Sequence, residues 1–574
     1  MTAFNGSPLR FLACGGAATV TLLASLDLPQ ADAHAQKPAA PSAAVRSAGC
    51  EGARDLALRG GKIVTLATPA IVSEVVIRDG RVVHVGPGGR AGYTPCTRVI
   101  DLKGRTAIPG LIDGHIHFVT WGFRPGRDVR LDLADGLADV RRAIGERARG
   151  VPSGEWITAV GGWSRTQFAE NRLPTRAELD AAAPANPVFL WERDGQPAVV
   201  NTRGAQFLAA RGIAAAADGT IAAAAGQAAI AYSALARTQT DPERGTAEAL
   251  AHLATLGVTT VSDMGVNAAP EGNRPPERSW HSGHVDVDTA YDPVLALARA
   301  DRLTARVRIS FMDTPDGPPH DAQRLRYQFP LFGNDMIKTL CMGEFITPDA
   351  AKYPEAALAV ARRGGWCHEQ HVMGRAEIDK FVAAWEQVDA KVPLAGRHWR
   401  LAHVFGIDDD ALARLKALDA GVDIAAMLYA TGNQLPGPSR EIRYRSIVAS
   451  GVPVGGVSDG PNYMPIDPWV HIALMVRGTD SLGRRVVAPD QTLSRMQALA
   501  LYTRNNAWFM ADDRFGSIRP KAFGDIVVLD RDYLTVPDDQ IRRIHAAMTI
   551  VDGKVIYGDL APGRAGRSHT PGTN

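Results

Sequence analysis

The chain has 574 residues, of which 45% are apolar and 22% are charged, and its formal net charge is +2. This length is too great for one simple core and favours a large domain with a smaller accessory domain. The nearly balanced charge gives no electrostatic reason to expect a nucleic acid or a membrane surface as a partner.

The first 35 residues are typical of a secretory signal peptide. Arg10 precedes an apolar run from Phe11 to about Leu28, and Ala33-His34-Ala35 is a small-x-small sequence of the type that signal peptidase cuts. The run is short for a membrane span, and an uncleaved N-terminal anchor is the alternative. We therefore expect cleavage after Ala35, a flexible linker over residues 36–50, and a periplasmic or secreted protein with no stable membrane insertion after processing.

Four cysteines would remain after this cleavage: Cys50, Cys96, Cys341 and Cys367. An oxidising compartment permits disulfides. Cys50 and Cys96 flank the same small segment, so a bridge between them is one hypothesis. Unpaired, buried cysteines are the alternative.

Short β-like runs stand at both ends of the remaining chain. Asp79-Gly80 and Asp552-Gly553 each lie between β-branched runs, which predicts a hairpin at both places. Terminal strands of similar character can pair, so we predict a small β-sandwich domain built from residues 51–108 and 511–560. The Gly-, Pro- and Arg-rich tail, residues 561–574, is predicted to be disordered.

Residues 109–510 alternate β-like with helix-like stretches. Such alternation indicates parallel βαβ units, and eight of them suit an α/β fold of the closed (β/α)8, TIM-like barrel type. The gap between the first and second strands is too long for one crossover, so residues from about 119 to 250 are predicted to form an insertion. The predicted strands are Leu111–Phe118, Val258–Asp263, Arg306–Phe311, Met336–Cys341, Trp366–His371, Trp399–Val404, Val422–Met427 and Val452–Asp459.

The strongest local pattern is Pro109-Gly-Leu-Ile-Asp-Gly-His-Ile-His-Phe118. Side chains alternate along a strand, so His115 and His117 point to the same face. At the carboxyl end of a barrel strand, two inward imidazoles can share one cation, and neutral imidazole suits zinc and similar divalent ions. The pattern therefore favours a pair of metal ligands.

This phrase resembles the amidohydrolase superfamily, in particular the branch called amidohydrolase family 3, which includes N-substituted formamide deformylase. The resemblance continues through Pro174–Asp180 to Gly516–Asp525 and covers nearly the whole mature chain. It implies a barrel that binds one or two divalent metals, with zinc expected, through ligands on strands one, four, five, six and eight.

The resemblance implies two ligands on strands six and eight. Ser458-Asp459-Gly460-Pro461 is similar to the family's Gly-Ser-Asp turn, which makes Asp459 both a metal ligand and the catalytic proton acceptor. An Asp in such a sequence is otherwise a common turn former. His403, three positions after Arg400, resembles the ligand on strand six.

On strand five the family pattern is His-Ala-x-Gly-Asp-x-Ala. His371 fits it through Gly374 and Ala376, although the acidic residue is missing before Arg375. His368 is the alternative, because strand alternation lets only one of the two histidines face inward.

Strand four bears on the number of metals. Lys338 matches the lysine that some family members carboxylate to bridge two cations, and such a carbamate would supply an anionic bridge. A lysine buried beside metals would also have a depressed pKa, which favours reaction with carbon dioxide. The usual Asp-Gly that follows reads Met342-Gly343-Glu344 here, so one metal or two stays open. A lysine reaching from a strand edge to water is the alternative.

The insertion supplies candidate substrate-binding residues. Gln196 stands where the similar segment of the family ends in Asp-Gly-His. If that His normally contacts the substrate, we expect either a different substrate here or weak activity. Trp121 and Trp163 are pocket walls or, equally, ordinary core residues.

The implied function is hydrolysis of a carbon–nitrogen bond in a small molecule, an amide, formamide or cyclic amide other than a peptide, by metal-activated water. Ester or lactone hydrolysis on the same site is one alternative. A catalytically degraded, exported binding or regulatory protein is another, because fold alone does not prove activity. A homodimer is expected by analogy only.

Overall fold

The computed structural model describes residues 49–88, 90–193, 195–265, 285, 289–313, 321–347, 349–426 and 443–560. The predicted signal peptide, residues 36–48 of the predicted linker and the tail 561–574 lie outside these ranges. All features below belong to one unit, Ser47–Asn574. Within the described ranges, no helix combines the length and the apolar character needed to cross a membrane.

The two ends of this unit form one mixed sheet of eight strands. The C-terminal part joins the N-terminal part where Val527 pairs antiparallel with Ile108. The N-terminal strands are β1 (Leu56–Val64), β2 (Ile71–Arg78), β3 (Arg81–Val85), β4 (Arg98–Asp101) and β5 (Thr106–Pro109), and the C-terminal strands are β19 (Ile526–Leu529), β20 (Ala546–Val551) and β21 (Lys554–Tyr557).

The sheet bends at β1, whose pairing register shifts between Arg59 and Ile63. The first half of β1 pairs with β4 and the second half with β5. Alternating side chains of these strands bury one shared core, and the opposite face packs on the rest of the molecule through Val527 and Leu529. The predicted β-domain built from both chain ends is therefore present, as one continuous bent sheet.

Eight parallel strands form a second sheet, in the order of a nearly closed barrel. Each predicted barrel strand has its counterpart, although the last position predicted for the seventh, Met427, lies outside the described residues. The backbone N–H of Asp459 donates to the carbonyl oxygen of His115 at 2.9 Å, which links the eighth strand region to the first. The barrel strands are β6 (Leu111–Ile116), β12 (Val258–Asp263), β13 (Arg306–Asp313), β14 (Ile337–Ile346), β15 (Cys367–His371), β16 (Arg400–Ala402), β17 (Gly421–Ile424) and β18 (Val454–Gly456).

Most helices bury one face, whereas Phe118–Gly122 and nearly all of Pro468–Arg477 are buried throughout. Asp241 accepts a hydrogen bond from the N–H of Arg244 and caps the helix that leads into β12, and Gly257 ends that helix with φ 84°. The helices of the described residues are α1 (Phe118–Gly122), α2 (Leu137–Ala148), α3 (Arg176–Ala182), α4 (Thr202–Ala209), α5 (Gln227–Ala236), α6 (Pro242–Leu256), α7 (Asp292–Arg299), α8 (Asp321–Tyr327), α9 (Tyr353–Arg363), α10 (Arg375–Asp389), α11 (Asp409–Ala417), α12 (Tyr444–Ser450), α13 (Pro468–Arg477), α14 (Arg495–Leu501) and α15 (Asn506–Phe509).

The predicted insertion after the first barrel strand carries its own five-stranded sheet. The segment after β8, a strand of this insertion over Ile157–Val160, contacts the loop that follows β18. The N–H of Gly162 donates there to the carbonyl oxygen of Asn462 at 3.2 Å. Neighbouring Gly161 has φ 65°, and a Cβ there would lie 2.1 Å from the same oxygen, so this approach needs a glycine. The strands are β7 (Arg127–Asp128), β8 (Ile157–Val160), β9 (Val188–Trp191), β10 (Ala198–Val200) and β11 (Thr220–Ile221).

Two disulfides are present among the described residues. Cys50 bonds to Cys96, as hypothesised from the sequence. Cys341 bonds to Cys367 and joins β14 to β15, where the two residues are partners in the parallel register.

Candidate active site

The carboxyl ends of the barrel strands bring four imidazoles and two carboxylates together. Side-chain alternation places His115, in β6, and His117, just after its end, on the inner face, and the other groups follow from β14, β15 and the loops after β16 and β18. We call this set the histidine–carboxylate cluster: His115, His117, Glu344, His371, His403 and Asp459.

Glu344 contacts all four imidazoles of the cluster. Its Oε1 lies 3.0 Å from Nδ1 of His371 and 3.4 Å from Nε2 of both His115 and His403. Its Oε2 lies 3.5 Å from Nε2 of His117. The two oxygens of one carboxylate therefore face different histidines.

Asp459 faces three of the same imidazoles from the other side of the barrel. Its Oδ1 lies 3.5 Å from Nε2 of His115 and 3.4 Å from Nε2 of His117, and its Oδ2 lies 3.8 Å from Nε2 of His403. Asp459 and His403 both have left-handed backbones, with φ 54° and 71°. Such conformations in residues other than glycine are concentrated at functional sites.

Backbone contacts hold the cluster in place. Oδ1 of Asp113 accepts from the N–H groups of His115 at 3.3 Å and Ser458 at 3.0 Å, which ties the first strand to the turn after the eighth. Oδ1 of Asp423 accepts from the N–H of His403 at 3.1 Å. Burial raises the pKa of Asp113 to about 6, although its hydrogen bonds from Ser458 and His115 oppose the shift.

The charges of the cluster stabilise one another. Burial disfavours the charged form of each group, but the histidines lower the pKa of Glu344 and of Asp459. Burial also lowers the pKa of His115, and Glu369 and Glu344 raise it more, so the net shift is well upward. The cluster is thus a site of ionised carboxylates that attract positive charge.

Several ring nitrogens of the cluster lack a hydrogen-bond partner. Among the described residues, these are Nε2 of His115 and both ring nitrogens of His403, and both side chains are fully buried. Buried polar atoms are normally satisfied, so these nitrogens fit the role of ligands to a cation. One donor atom each from His115, Glu344, His403 and Asp459 lies within 4.8 Å of the others, and imidazole with carboxylate is a donor set suited to zinc and similar divalent ions.

The model of the amidohydrolase family matches residues 98–557. The chain belongs to the amidohydrolase family. It is 24% identical to N-substituted formamide deformylase of Arthrobacter pascens over 561 residues, which covers 88% of this chain and 98% of that protein.

Two solved structures share the fold of this amidohydrolase. An uncharacterized metal-dependent hydrolase from Pyrococcus horikoshii OT3 superposes with a TM-score of 0.57 at 21% identity, over 84% of this chain and 99% of that one. A point mutant of atrazine chlorohydrolase TrzN from Arthrobacter aurescens TC1, in complex with zinc and atraton, gives 0.51 at 14% identity, over 88% and 95%.

Lys338, predicted as a metal-bridging ligand, does not join the cluster of this amidohydrolase. It stands near the start of β14, where its Nζ lies 3.7 Å from Asp335, and its strand partner is Arg308. Glu344 lies six residues further along β14, about 20 Å away at the rise of a strand. This corrects the prediction: the strand-four residue at the cluster is Glu344, which the sequence interpretation noted only as a departure from the family pattern.

His371 and His368 occupy opposite faces of β15. His371 contacts Glu344, whereas the His368 ring is hydrogen-bonded to the hydroxyl of Tyr353 and to the carbonyl oxygen of Met342, both at 2.9 Å. Burial lowers the pKa of His368 to about 4. His371 therefore lies at the cluster, and His368 lies in the packing outside the strand's inner face.

The predicted substrate-binding residues lie outside the cluster. Trp163 is a buried core residue, stacked on Phe168 at 5.7 Å between ring centroids, with its indole N–H on the carbonyl oxygen of Ala159. Trp121 donates to Asp128 at 2.9 Å and lines a separate cavity of about 570 Å³. For Trp163 these contacts favour the core alternative, because its ring and its polar edge are both used in packing.

Gln196 accepts a hydrogen bond from Arg165 at 2.6 Å. Arg165 also pairs with the buried carboxylate of Glu192 at 2.7 Å. The preceding Asp194 lies outside the described residues. Gln196 is therefore part of a polar network of the insertion, which borders the loop after β18 through Gly162.

A buried layer beneath the cluster was not predicted as functional. Nδ1 of His115 contacts Glu369, and Glu369 also contacts Arg400. Asp263 accepts hydrogen bonds from the hydroxyl of Tyr291 at 2.7 Å and from the N–H of Val119 at 3.0 Å. For Glu369, strand alternation was a sequence signal that could have found it. Glu369 precedes His371 by two positions and so shares its face.

Proposed function

We propose that this amidohydrolase is a metal-dependent hydrolase that cleaves a carbon–nitrogen bond of an amide, formamide or cyclic amide other than a peptide. The observation that carries the proposal is the convergence of His115, Glu344, His403 and Asp459 within 4.8 Å at the carboxyl ends of the barrel strands. Active sites of (β/α)8 barrels lie at this end. The 24% identity with a formamide deformylase over almost its whole length supports the bond type.

The six members of the histidine–carboxylate cluster would hold the metal. A bound divalent cation polarises a carbonyl group and lowers the pKa of water, which together supply several kcal/mol of transition-state stabilisation. Zinc is the proposed ion, supported by the donor types and by the zinc complex of the structurally similar atrazine chlorohydrolase. The two oxygens of Glu344 face different histidines, so this carboxylate would hold one ion or two.

Asp459 is the proposed proton carrier. Its pKa is lowered by His403, His115 and His117 despite burial, so it is ionised and can accept a proton from the attacking water. The water oxygen adds to the carbonyl carbon, and Asp459 then gives the proton to the leaving nitrogen as the carbon–nitrogen bond breaks. His117 lies 3.4 Å from Oδ1 of Asp459 and would orient this carboxylate.

Hydrolysis of an ester or lactone needs the same attack on a carbonyl carbon, so it is the second candidate reaction. A degraded binding protein is disfavoured by the complete set of donors. One reason for that alternative was that the acidic residue of the family pattern is missing before Arg375. This position is the start of α10, where Arg375 pairs with Asp379 at 2.9 Å. That arginine therefore has a structural partner within its own helix.

The test is elemental analysis of the purified protein together with a substrate screen. The proposal expects one or two equivalents of zinc or a similar metal per chain, and activity on a formamide, a linear amide or a cyclic amide that a chelator abolishes. Activity on esters and lactones alone would select the second reaction. A protein that binds metal and ligands but hydrolyses none of these compounds would select the binding protein.

We also propose that the protein is exported. The signal-like N-terminus and two disulfides among the described residues support this, since disulfides persist in oxidising compartments. The measurement is the N-terminal sequence of the protein recovered from periplasm and medium. We expect a start at Gln36, and an intact Met1 in the cytoplasmic fraction would oppose export.

A further inference from the structure

The imidazole of His115 is contacted on both of its ring nitrogens. Nε2 faces Glu344 at 3.4 Å and Asp459 at 3.5 Å, inside the histidine–carboxylate cluster. Nδ1, on the opposite side of the ring, contacts Oε1 of Glu369. A neutral imidazole carries its hydrogen on one nitrogen only, so the partner of Nδ1 decides whether Nε2 has a free lone pair.

Glu369 is anchored on its other oxygen. Oε2 accepts from Nε of Arg400, and the same guanidinium donates to the carbonyl oxygen of Phe509 at 3.2 Å. The side chains of Glu369, Arg400 and His115 are all fully buried. Arg400 therefore neutralises the carboxylate and fixes its plane, so that Oε1 must face Nδ1 of His115.

We propose that Glu369 is a positioning residue that holds the hydrogen of His115 on Nδ1 and so keeps Nε2 free to bind metal. This inference rests on the proposed function. Histidine ligands commonly donate their second N–H to a carboxylate, which fixes both the ring orientation and the tautomer.

Glu369 forms, with His115 and Asp423, a second group whose donor atoms lie within 4.8 Å of one another. We assign it as a partner of His115 and not as a ligand, because both of its oxygens are already bound. One oxygen is bound by the guanidinium of Arg400 and the other by His115, on the side of the ring opposite the cluster. Asp423 is a weaker substitute for Glu369, because its Oδ2 is 3.9 Å from the same Nδ1. This Oδ2 atom has no hydrogen-bond partner among the described residues and could accept from Nδ1 only after a shift.

The test substitutes Glu369→Gln and measures metal binding. The guanidinium of Arg400 requires an oxygen, so the amide NH2 of glutamine would face Nδ1 of His115. Nδ1 must then accept a hydrogen bond, so the imidazole hydrogen moves to Nε2. The lone pair of Nε2 is then no longer available to a metal. We expect zinc affinity to fall about 10- to 100-fold in competition with a chelator. We also expect a changed visible spectrum of the cobalt-substituted protein.

Asp525→Asn is the matched control. Asp525 makes a similar buried pair, with Nε and Nη2 of Arg306 at 2.7 and 3.0 Å, but it lies before β19 and contacts no cluster residue. Loss of this pair should reduce thermal stability in the same way while zinc affinity and the cobalt spectrum stay at wild-type values.

Wild-type zinc affinity and an unchanged cobalt spectrum in E369Q would overturn the inference. If E369Q does not fold, the double substitution Glu369→Met with Arg400→Met removes both buried charges together and should show the same loss of affinity. Wild-type affinity in that variant also overturns it. A wild-type protein that takes up no metal at all would instead sink the proposed function, and this inference with it.

Discussion

One oxygen of Glu344 lies 3.4 Å from Nε2 of His115, although the two residues come from the fourth and first strands of the barrel. Both side chains are almost completely buried. This carboxylate is buried beside an imidazole nitrogen that has no hydrogen-bond partner among the described residues, and it also contacts the other three histidines, so Glu344 is the centre of the site. This contact distinguishes Glu344 from Lys338, the other candidate ligand on β14.

Glu344→Gln should therefore reduce turnover by about 100-fold or more and lower the bound metal, because a neutral amide cannot compensate the charge of a cation. Lys338→Met is the control on the same strand. It removes only an ion pair with half-exposed Asp335, so turnover and metal content should stay within about twofold of wild type. Steady-state kinetics with elemental analysis checks both. Full loss of activity in K338M with normal folding would return the bridging role to the lysine.

The two histidines of β15 should differ in what they control. His371 is partly exposed and contacts Glu344, so His371→Ala should weaken metal binding and turnover with little change in the free energy of unfolding. His368 is buried beside Tyr353 and Trp385, so His368→Ala should cost about 2–4 kcal/mol of stability, and the folded fraction should keep its metal affinity. Urea denaturation and chelator competition measure the two effects. The prediction fails if the variants exchange these behaviours.

Removal of the metal should destabilise the fold. A ligand that binds only the native state stabilises it by about 4 kcal/mol at a concentration 1,000 times its dissociation constant. The clustered carboxylates Glu344 and Asp459 also lose their compensating charge. We expect a lower melting temperature after dialysis against a chelator and full recovery with added zinc, followed by calorimetry. An unchanged melting temperature together with unchanged activity would show that the cluster holds no structural or catalytic metal.

His471 should make stability depend on pH. Its Nδ1 accepts from the N–H of Ala426 at 3.0 Å, and its Nε2 donates to the carbonyl oxygen of Pro465 at 2.7 Å. Burial lowers its pKa from 6.5 to about 4. The unfolded chain therefore binds this proton first, so the contribution is complete above pH 6.5 and is lost as the pH falls toward 4.

His471→Gln keeps one acceptor and one donor but does not titrate. Between about pH 7.5 and pH 5 it should lose about 2 kcal/mol less unfolding free energy than wild type. Parallel denaturant titrations at the two pH values measure the difference. Equal losses in the two proteins would exclude His471 as a contributor.

The sequence determined the architecture and most of the cluster. Each barrel strand was visible as a β-like run, and helix-like stretches lie between most of them, which is the alternation of parallel βαβ units. The His115-Ile-His117 spacing placed both imidazoles on one face by alternation alone, and the pairing of both chain ends followed from their similar strands. His403, His371 and Asp459 were found through resemblance to the family.

Only the tertiary structure decided which residue of a strand reaches the cluster. Lys338 and Glu344 both belong to β14, and their heights in the barrel depend on the parallel register with β13, which is irregular between Ile309 and Phe311. Trp163 gave no sequence signal to separate a pocket wall from a core residue. The contact between Glu369 and His115 joins two distant strands. Local patterns determine which way a side chain points, whereas register, closure and packing across the barrel determine what it meets.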